Sequence, residues 1–269
     1  MARRRPDISI SAMRSNLKIS IITVVYNNAA TIADCINSVV SQKYPFIEHI
    51  VVDGDSTDGT QDIICKYGDK ISKYVSEPDL GIYDAMNKGI GLASGNIVGL
   101  LNSDDILSDN FVLQRVSEFF SDNPDVDACY GDLCYVSQND PTKIVRYWRS
   151  KPYKNGLFKK GWVPPHPTLY IRREIYEKYG GFDLSYRIAA DFEFMLRLFA
   201  THHIRTAYLP HIMVKMRLGG TTNRNLKNIL LQNLEIRRAL RSHNVSSSLV
   251  GFIVHKACSR FLQFIQRPQ

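Results

Sequence analysis

Three stretches of this chain set carboxylates, amides and hydroxyls directly behind apolar runs. The first is Val51-Val52-Asp53-Gly54-Asp55-Ser56-Thr57-Asp58-Gly59-Thr60. A carboxylate where a strand ends can accept hydrogen bonds from a ribose hydroxyl or a pyrimidine imide. Asp58 can equally cap the helix that follows, and Asp-Ser-Thr can serve only to shape a turn. The second is Leu100-Leu101-Asn102-Ser103-Asp104-Asp105. Adjacent carboxylates repel, and a divalent cation between them and a phosphate relieves that repulsion. Hard oxygen ligands suit Mg2+ or Mn2+, which can bridge a diphosphate and offset its charge as it departs; alone, such a pair can also be a loop cap. The third runs from Glu77-Pro78-Asp79-Leu80-Gly81 through Ile82-Tyr83-Asp84-Ala85-Met86-Asn87-Lys88-Gly89. Asp84, Asn87 and Lys88 lie on neighbouring turns of one predicted helix, where their polar ends can meet one ligand or face water.

The elements around these clusters must bring them together. Strand-like runs alternate with helical patterns at Ile19–Val25, Thr31–Ser41, His49–Asp53, Gln61–Tyr67, Lys73–Ser76, Ile82–Ala93 and Ile97–Leu101. That order predicts an α/β fold, a mainly parallel twisted sheet flanked by helices with right-handed crossovers. Ligands of such sheets bind beyond the carboxyl ends of the strands, and all three clusters fall on that edge. No GxGxxG follows the first strand, which argues against a dinucleotide fold. Further on, the pattern predicts a hairpin of Ala128–Val136 and Lys143–Trp148, a Pro-rich loop at Gly161–Pro167 and a strand at Thr168–Ile171. Helices are predicted at Glu174–Tyr179 and Ala189–Ala200, and a strand at Arg205–Leu209.

The 269 residues, 44% hydrophobic and 22% charged, suit one large domain with a modest appendage. Residues 1–17 are expected to be a flexible basic arm, 18–222 the domain, and 223–269 a basic helical extension. The net charge of +8 is concentrated at the ends: residues 224–269 hold eight basic side chains and one acidic. An acidic centre argues against a nucleic-acid groove, and basic ends favour contact with an anionic membrane surface. Within the extension, Leu226–His243 reads as an amphipathic helix. Leu249–Ile265 reads as another, too polar to span a bilayer but able to lie on one or to pack on the domain. Five cysteines with no CxxC pair fit a reducing cytoplasm better than a zinc site.

In combination, the Asp53–Thr60, Glu77–Gly89 and Asn102–Asp105 segments and the later Ala189-Ala190-Asp191-Phe192-Glu193 resemble family 2 glycosyltransferases. The likeness is strongest to bacterial enzymes of colanic acid, O-antigen and capsule assembly, and covers about residues 18–222. It implies a single GT-A-like nucleotide-binding domain, a nucleotide-sugar donor, Mg2+ or Mn2+, and inversion at the anomeric carbon. The basic ends and the Leu249–Ile265 segment lead to the expectation of a saccharide acceptor that is lipid-linked, at the inner membrane face. Carried over by position, Thr23 and Tyr26 would border the base, and Asp53 would hold base or ribose. Asp104 would approach the ribose or donor sugar, and Asp105 would bind the metal. Asp79, Asp84, Asn87 and Lys88 would line the donor pocket. Asp191 would be the catalytic base, taking the acceptor hydroxyl's proton as metal-bound diphosphate leaves from the opposite face.

Two positions depart from the family pattern. Asp53-Gly54-Asp55 replaces two consecutive aspartates, so either carboxylate can be the nucleotide contact, and Asn102 stands where many members have an aspartate. His166 and the Gly219-Gly220 pair would frame the acceptor or close over the diphosphate, with a structural role for His166 also open. Glu193 would be a supporting or acceptor contact. A sugar nucleotidyltransferase would share the sheet and the metal carboxylates, but Tyr26-Asn27-Asn28-Ala29-Ala30 lacks the Gly- and Arg-rich loop such enzymes carry. A non-catalytic nucleotide-sugar-binding module would not require Asp105 and Asp191.

Overall fold

The computed structural model describes residues 16–219, 226–245 and 263. Strands β1 (Ile19–Val25), β2 (Ile47–Asp53), β3 (Lys73–Ser76) and β4 (Ile97–Asn102) pair in parallel in the order β3-β2-β1-β4. Helices α1 (Ile32–Val40), α2 (Thr60–Cys65) and α3 (Ile82–Leu92) make the crossovers. β1 is buried at every position, so its apolar residues run nearly unbroken instead of alternating. Helix α3 lies close against it, because a Cβ at Gly89 would come 2.3 Å from Ile22 Cγ2. Any larger residue there would push away the helix that carries the third cluster.

Beyond β4 the sheet changes character. It continues through β8 (Tyr170–Arg172), β6 (Ala128–Val136), β9 (Thr206–Arg217) and β5 (Asp105–Leu107), with β7 (Ile144–Trp148) also paired to β6. Of these neighbours only β6 and β9 run parallel. The α/β fold with a parallel, helix-flanked sheet is thus present, extended by an antiparallel half. Two elements were not anticipated. β5 is three residues long, and α4 (Val112–Asp122) buries Val112, Leu113, Val116 and Phe120, a helical spacing.

The remaining helices are α5 (Arg173–Tyr179), α6 (Ala190–Leu196), extended by a π-helical turn over Arg197–Thr201, and α7 (Leu226–Ser242). Ile236, Ala239 and Leu240 of α7 belong to the same core as Ile22, Val52, Leu100, Phe194 and Phe199. Helix α7 is therefore packed into the domain's main core. The expected arm falls largely, and the Leu249–Ile265 segment apart from Gln263 wholly, outside the described residues.

Candidate active site

Strand register brings the first clusters to one level. Val25 of β1 lies opposite Asp53 of β2, and Asp53 opposite Ser76 of β3. Asp53 is fully buried and accepts from Ser56 N at 3.0 Å, from the Ser56 hydroxyl, and from Ser76 Oγ at 2.7 Å. Its carboxylate is spent on shaping the loop. Asp55 is exposed and stands in the left-handed region at φ 66°, so of the two aspartates it is the one presented to solvent at this edge. Thr23 is likewise corrected. It lies inside β1, fully buried, with its hydroxyl 3.0 Å from His49 Nε2 and 3.8 Å from Cys35 Sγ, and cannot border a base.

Tyr26 stands just past β1, 64% exposed. The loop behind it is stitched to the β2–α2 loop: Asn27 N donates to Ser56 Oγ, Thr57 N to Asn27 Oδ1, and Ala29 N to Asp58 Oδ2. A Cβ on Gly54 would meet Asp79 Oδ2 at 2.5 Å and Tyr26 Cδ2 at 3.3 Å. Tyr26 and Asp79 therefore converge over Gly54, the residue before Asp55, and a second consecutive aspartate at position 54 would collide with the Asp79 carboxylate.

The third cluster divides. Asp79 and Asp84 order their own loop by accepting from Gly81 N and Leu80 N at 2.8 and 3.0 Å. Lys88 is held by Glu77 at 2.9 Å, Asp84 at 3.6 Å and the Pro78 carbonyl at 2.8 Å, so it staples that loop. Asn87 differs from expectation. Its amide donates to Phe182 O at 2.9 Å and accepts from Phe182 N at 2.8 Å. Both ends of the side chain are used to clamp the 181–182 backbone, leaving no group for a donor pocket.

Asn102 ends β4, and Asp105 opens β5 after a tight turn. Asp105 is fully buried, with Asn102 Nδ2 3.2 Å from its Oδ2. Burial, and next the neighbouring Asp104 charge, push its pKa well above the carboxylate range against hydrogen bonds from Asn102 and the Arg217 backbone. Asp105 Oδ1 and Asn102 Oδ1 are buried without hydrogen-bond partners. Orphaned oxygens beside a second, half-buried carboxylate, Asp104, fit a hard divalent cation: it would satisfy both atoms and favour the ionised form of Asp105. Among the described residues no three His, Cys, Asp or Glu side chains form a metal cluster by themselves.

Asp191 lies in the first turn of α6. The Tyr83 hydroxyl, from α3, is 3.3 Å from its Oδ1 and donates to Ile188 O at 2.7 Å, while Phe192 N donates to the same Oδ1 at 2.8 Å. Both contacts fall on one oxygen, which leaves Oδ2 to accept a proton. Burial lowers the His166 pKa against the nearby Asp191 charge, so this imidazole is neutral near pH 7, its ring 5.5 Å from that of Phe182. Glu193 is corrected: it is buried, bonded to Arg197 Nε and His243 Nε2 at 2.9 Å each, and ties α6 to α7 without facing an acceptor. Gly219 is exposed at φ 120°, near Gln138; Gly220 lies outside the described residues.

The model of Glycosyl transferase family 2 matches residues 20–180. A PGL/p-HBAD biosynthesis glycosyltransferase of Mycobacterium bovis is 31% identical over 226 residues, 82% of this chain and 85% of the relative. The chain belongs to glycosyltransferase family 2. An uncharacterised glycosyltransferase of Mycobacterium tuberculosis is 34% identical over 187 residues, covering 69% of this chain and 70% of that one. Among solved structures, S. aureus TarS in complex with UDP-GlcNAc superimposes with TM-score 0.67 at 19% identity, covering 90% of this chain and 73% of that one. A mannosyltransferase of Pyrobaculum calidifontis with GDP-Man and Mn2+ gives 0.57 at 18%, covering 91% and 80%. At such identities the likeness is one of fold. No helix among the described residues of this family 2 glycosyltransferase is long and apolar enough to cross a membrane.

Two residues around Asp191 escaped the sequence reading. Tyr83 sits inside the quoted Glu77–Gly89 stretch, but nothing local marks it as reaching Asp191, 108 positions away. Glu235, on α7, accepts from the backbone N–H groups of Arg187, Ile188 and Ala189 at 2.8 Å each. It thereby holds the segment that leads into Asp191. The one signal available was an acid alone among the bases of residues 224–269.

Proposed function

We propose that the protein transfers a sugar from a nucleotide-sugar donor to a hydroxyl of a lipid-linked saccharide acceptor, with inversion, in bacterial cell-surface polysaccharide assembly. The observation that carries this reading is the bridge made by α3. The loop that opens this helix carries Asp79 beside Tyr26 and Gly54, and one turn on its Tyr83 meets Asp191. A donor held at the strand ends and a base that receives the acceptor's proton would share one rigid element, which is what displacement at a single carbon requires. The solved relatives that hold UDP-GlcNAc, or GDP-Man with Mn2+, support a nucleotide-sugar donor and a cation.

In this reading the base stacks on Tyr26, Asp55 and Asp79 take ribose or base hydrogen bonds, and Asp104 approaches the ribose or donor sugar. Asp105, with Asn102 and Asp104, would hold Mg2+ or Mn2+, the remaining ligands being diphosphate and water oxygens. The cation would offset charge on the leaving diphosphate. Asp191 Oδ2 takes the proton of the acceptor hydroxyl as its oxygen bonds to the anomeric carbon, and the carbon–oxygen bond to the diphosphate breaks on the opposite face. His166, its pKa lowered by burial, would contact the acceptor without adding charge.

The test is a binding and turnover panel of UDP-, GDP-, dTDP- and CMP-sugars, each with Mn2+, Mg2+ or EDTA, on wild type, Asp104→Ala and Asp105→Ala. One donor is expected to bind and turn over slowly in a cation-dependent way that both variants lose. Binding of no donor would overturn the reading in favour of a non-catalytic module.

A further inference from the structure

Helix α7 turns Glu235, Ile236, Ala239 and Leu240 inward. Its opposite face is different in kind. Leu230 and Leu234 stand 63% and 55% exposed there. Residues 227, 230, 234, 237 and 241 recur at three- and four-residue intervals and so form one stripe along the helix. That stripe reads Lys227, Leu230, Leu234, Arg237 and Arg241, every one exposed. The lone acid of α7, Glu235, is buried and committed to the 187–189 backbone. The exposed face is therefore apolar in the middle, cationic at both ends and without a negative charge.

We propose that this face docks the protein on an anionic lipid surface, with Leu230 and Leu234 entering the headgroup–acyl boundary and Lys227, Arg237 and Arg241 meeting lipid phosphates. Charge decides among the possible occupants. Residues 246–269 of this chain carry Lys256, Arg260 and Arg267 and no acid, so they offer these arginines only repulsion. A second copy presenting the same face has the same fault. An anionic bilayer supplies an apolar layer and negative charge together. Because Glu235 holds the segment before Asp191 from the inner side of the same helix, docking would also fix the base-bearing segment relative to the lipid surface. The proposal does not depend on the transferase reading, since its readout is binding to lipid.

The experiment is co-sedimentation of the full chain with vesicles of phosphatidylcholine alone or mixed with phosphatidylglycerol, at low and high salt. Wild type is expected to bind the anionic vesicles and to be released by salt. Arg237→Gln/Arg241→Gln should weaken that binding about thirtyfold, at ~1 kcal/mol for each basic residue near an anionic surface. Leu230→Asn/Leu234→Asn should weaken it about tenfold while leaving donor binding intact, which reports an undamaged fold. Undiminished binding by both variants overturns the proposal. So does a leucine variant that melts earlier yet still binds vesicles, since the chain's own residues 246–269 would then be the occupant. Wild-type binding that is equal on neutral vesicles, or a dimer lost in the leucine variant, overturns it as well.

Discussion

In the proposed reading, the donor edge and the base-bearing segment reach one site by different means. At the donor edge the side chains sit at the ends of adjacent parallel strands, and their supports come from the same few loops: Ser56 and Ser76 hold Asp53, and Gly81 holds Asp79. Asp191 instead depends on Tyr83 from α3 and on Glu235 from α7, which reaches the segment before it from 46 to 48 residues away. A site assembled from strand ends tolerates local damage locally. One held by remote helices can be disabled from far outside it.

The sharpest way to separate the two regions is Asp191→Asn. It is expected to lower kcat by ~10²–10⁴-fold, the usual worth of a general base, with donor affinity unchanged by calorimetry. A matching loss of donor affinity would erase the distinction. Glu235→Ala comes next, because three backbone donors lose a buried carboxylate. Unfolding free energy should fall by about 3 kcal/mol in urea titrations, with kcat falling alongside it. Unchanged activity would show that the base-bearing segment needs no support from α7.

The donor half has an acid sensitivity of its own. Burial holds the His49 ring at a pKa of about 4, below its ordinary 6.5. The unfolded chain protonates it where the folded protein does not, so stability present above pH 6.5 is lost as pH falls toward 4, by up to about 3 kcal/mol. His49→Gln should flatten that part of a stability–pH curve. Within the same half, Asp53→Ala is expected to cost about 2 kcal/mol of stability, whereas Asp55→Ala should weaken donor binding at unchanged melting temperature. The reverse pattern would return the nucleotide contact to Asp53. The smallest effect is Tyr83→Phe, which should lower kcat about tenfold, with donor KM unaltered and the pH profile of kcat displaced by loss of the hydroxyl 3.3 Å from Asp191 Oδ1.

The contrast also separates what the sequence made legible. Apolar runs ending in Asp53 and Asn102 announced strand ends, because a parallel strand covered on both faces has few ways to spell itself. Which way each polar side chain turned was not legible. Thr23 and Asp53 have the chemistry of ligands, and burial turned both inward. Asn87 and Glu193 lie near the right loops but are consumed by Phe182 in one case and by Arg197 and His243 in the other. Periodicity reports that a residue is on a face; it does not report which neighbour takes the hydrogen bond.

The sequence by itself determined the alternation of strands and helices, and with it the edge where ligands bind. Its grouping of acids with amides at that edge suits the nucleotide-sugar donor we propose, and its adjacent Asp104 and Asp105 suit the proposed cation. Tertiary structure alone decided that Gly54 leaves room for Asp79, that Tyr83 meets Asp191, and that Glu235 steadies the segment before it. Those contacts join positions far apart in the chain, and packing selects them from many pairings that local sequence leaves equally open.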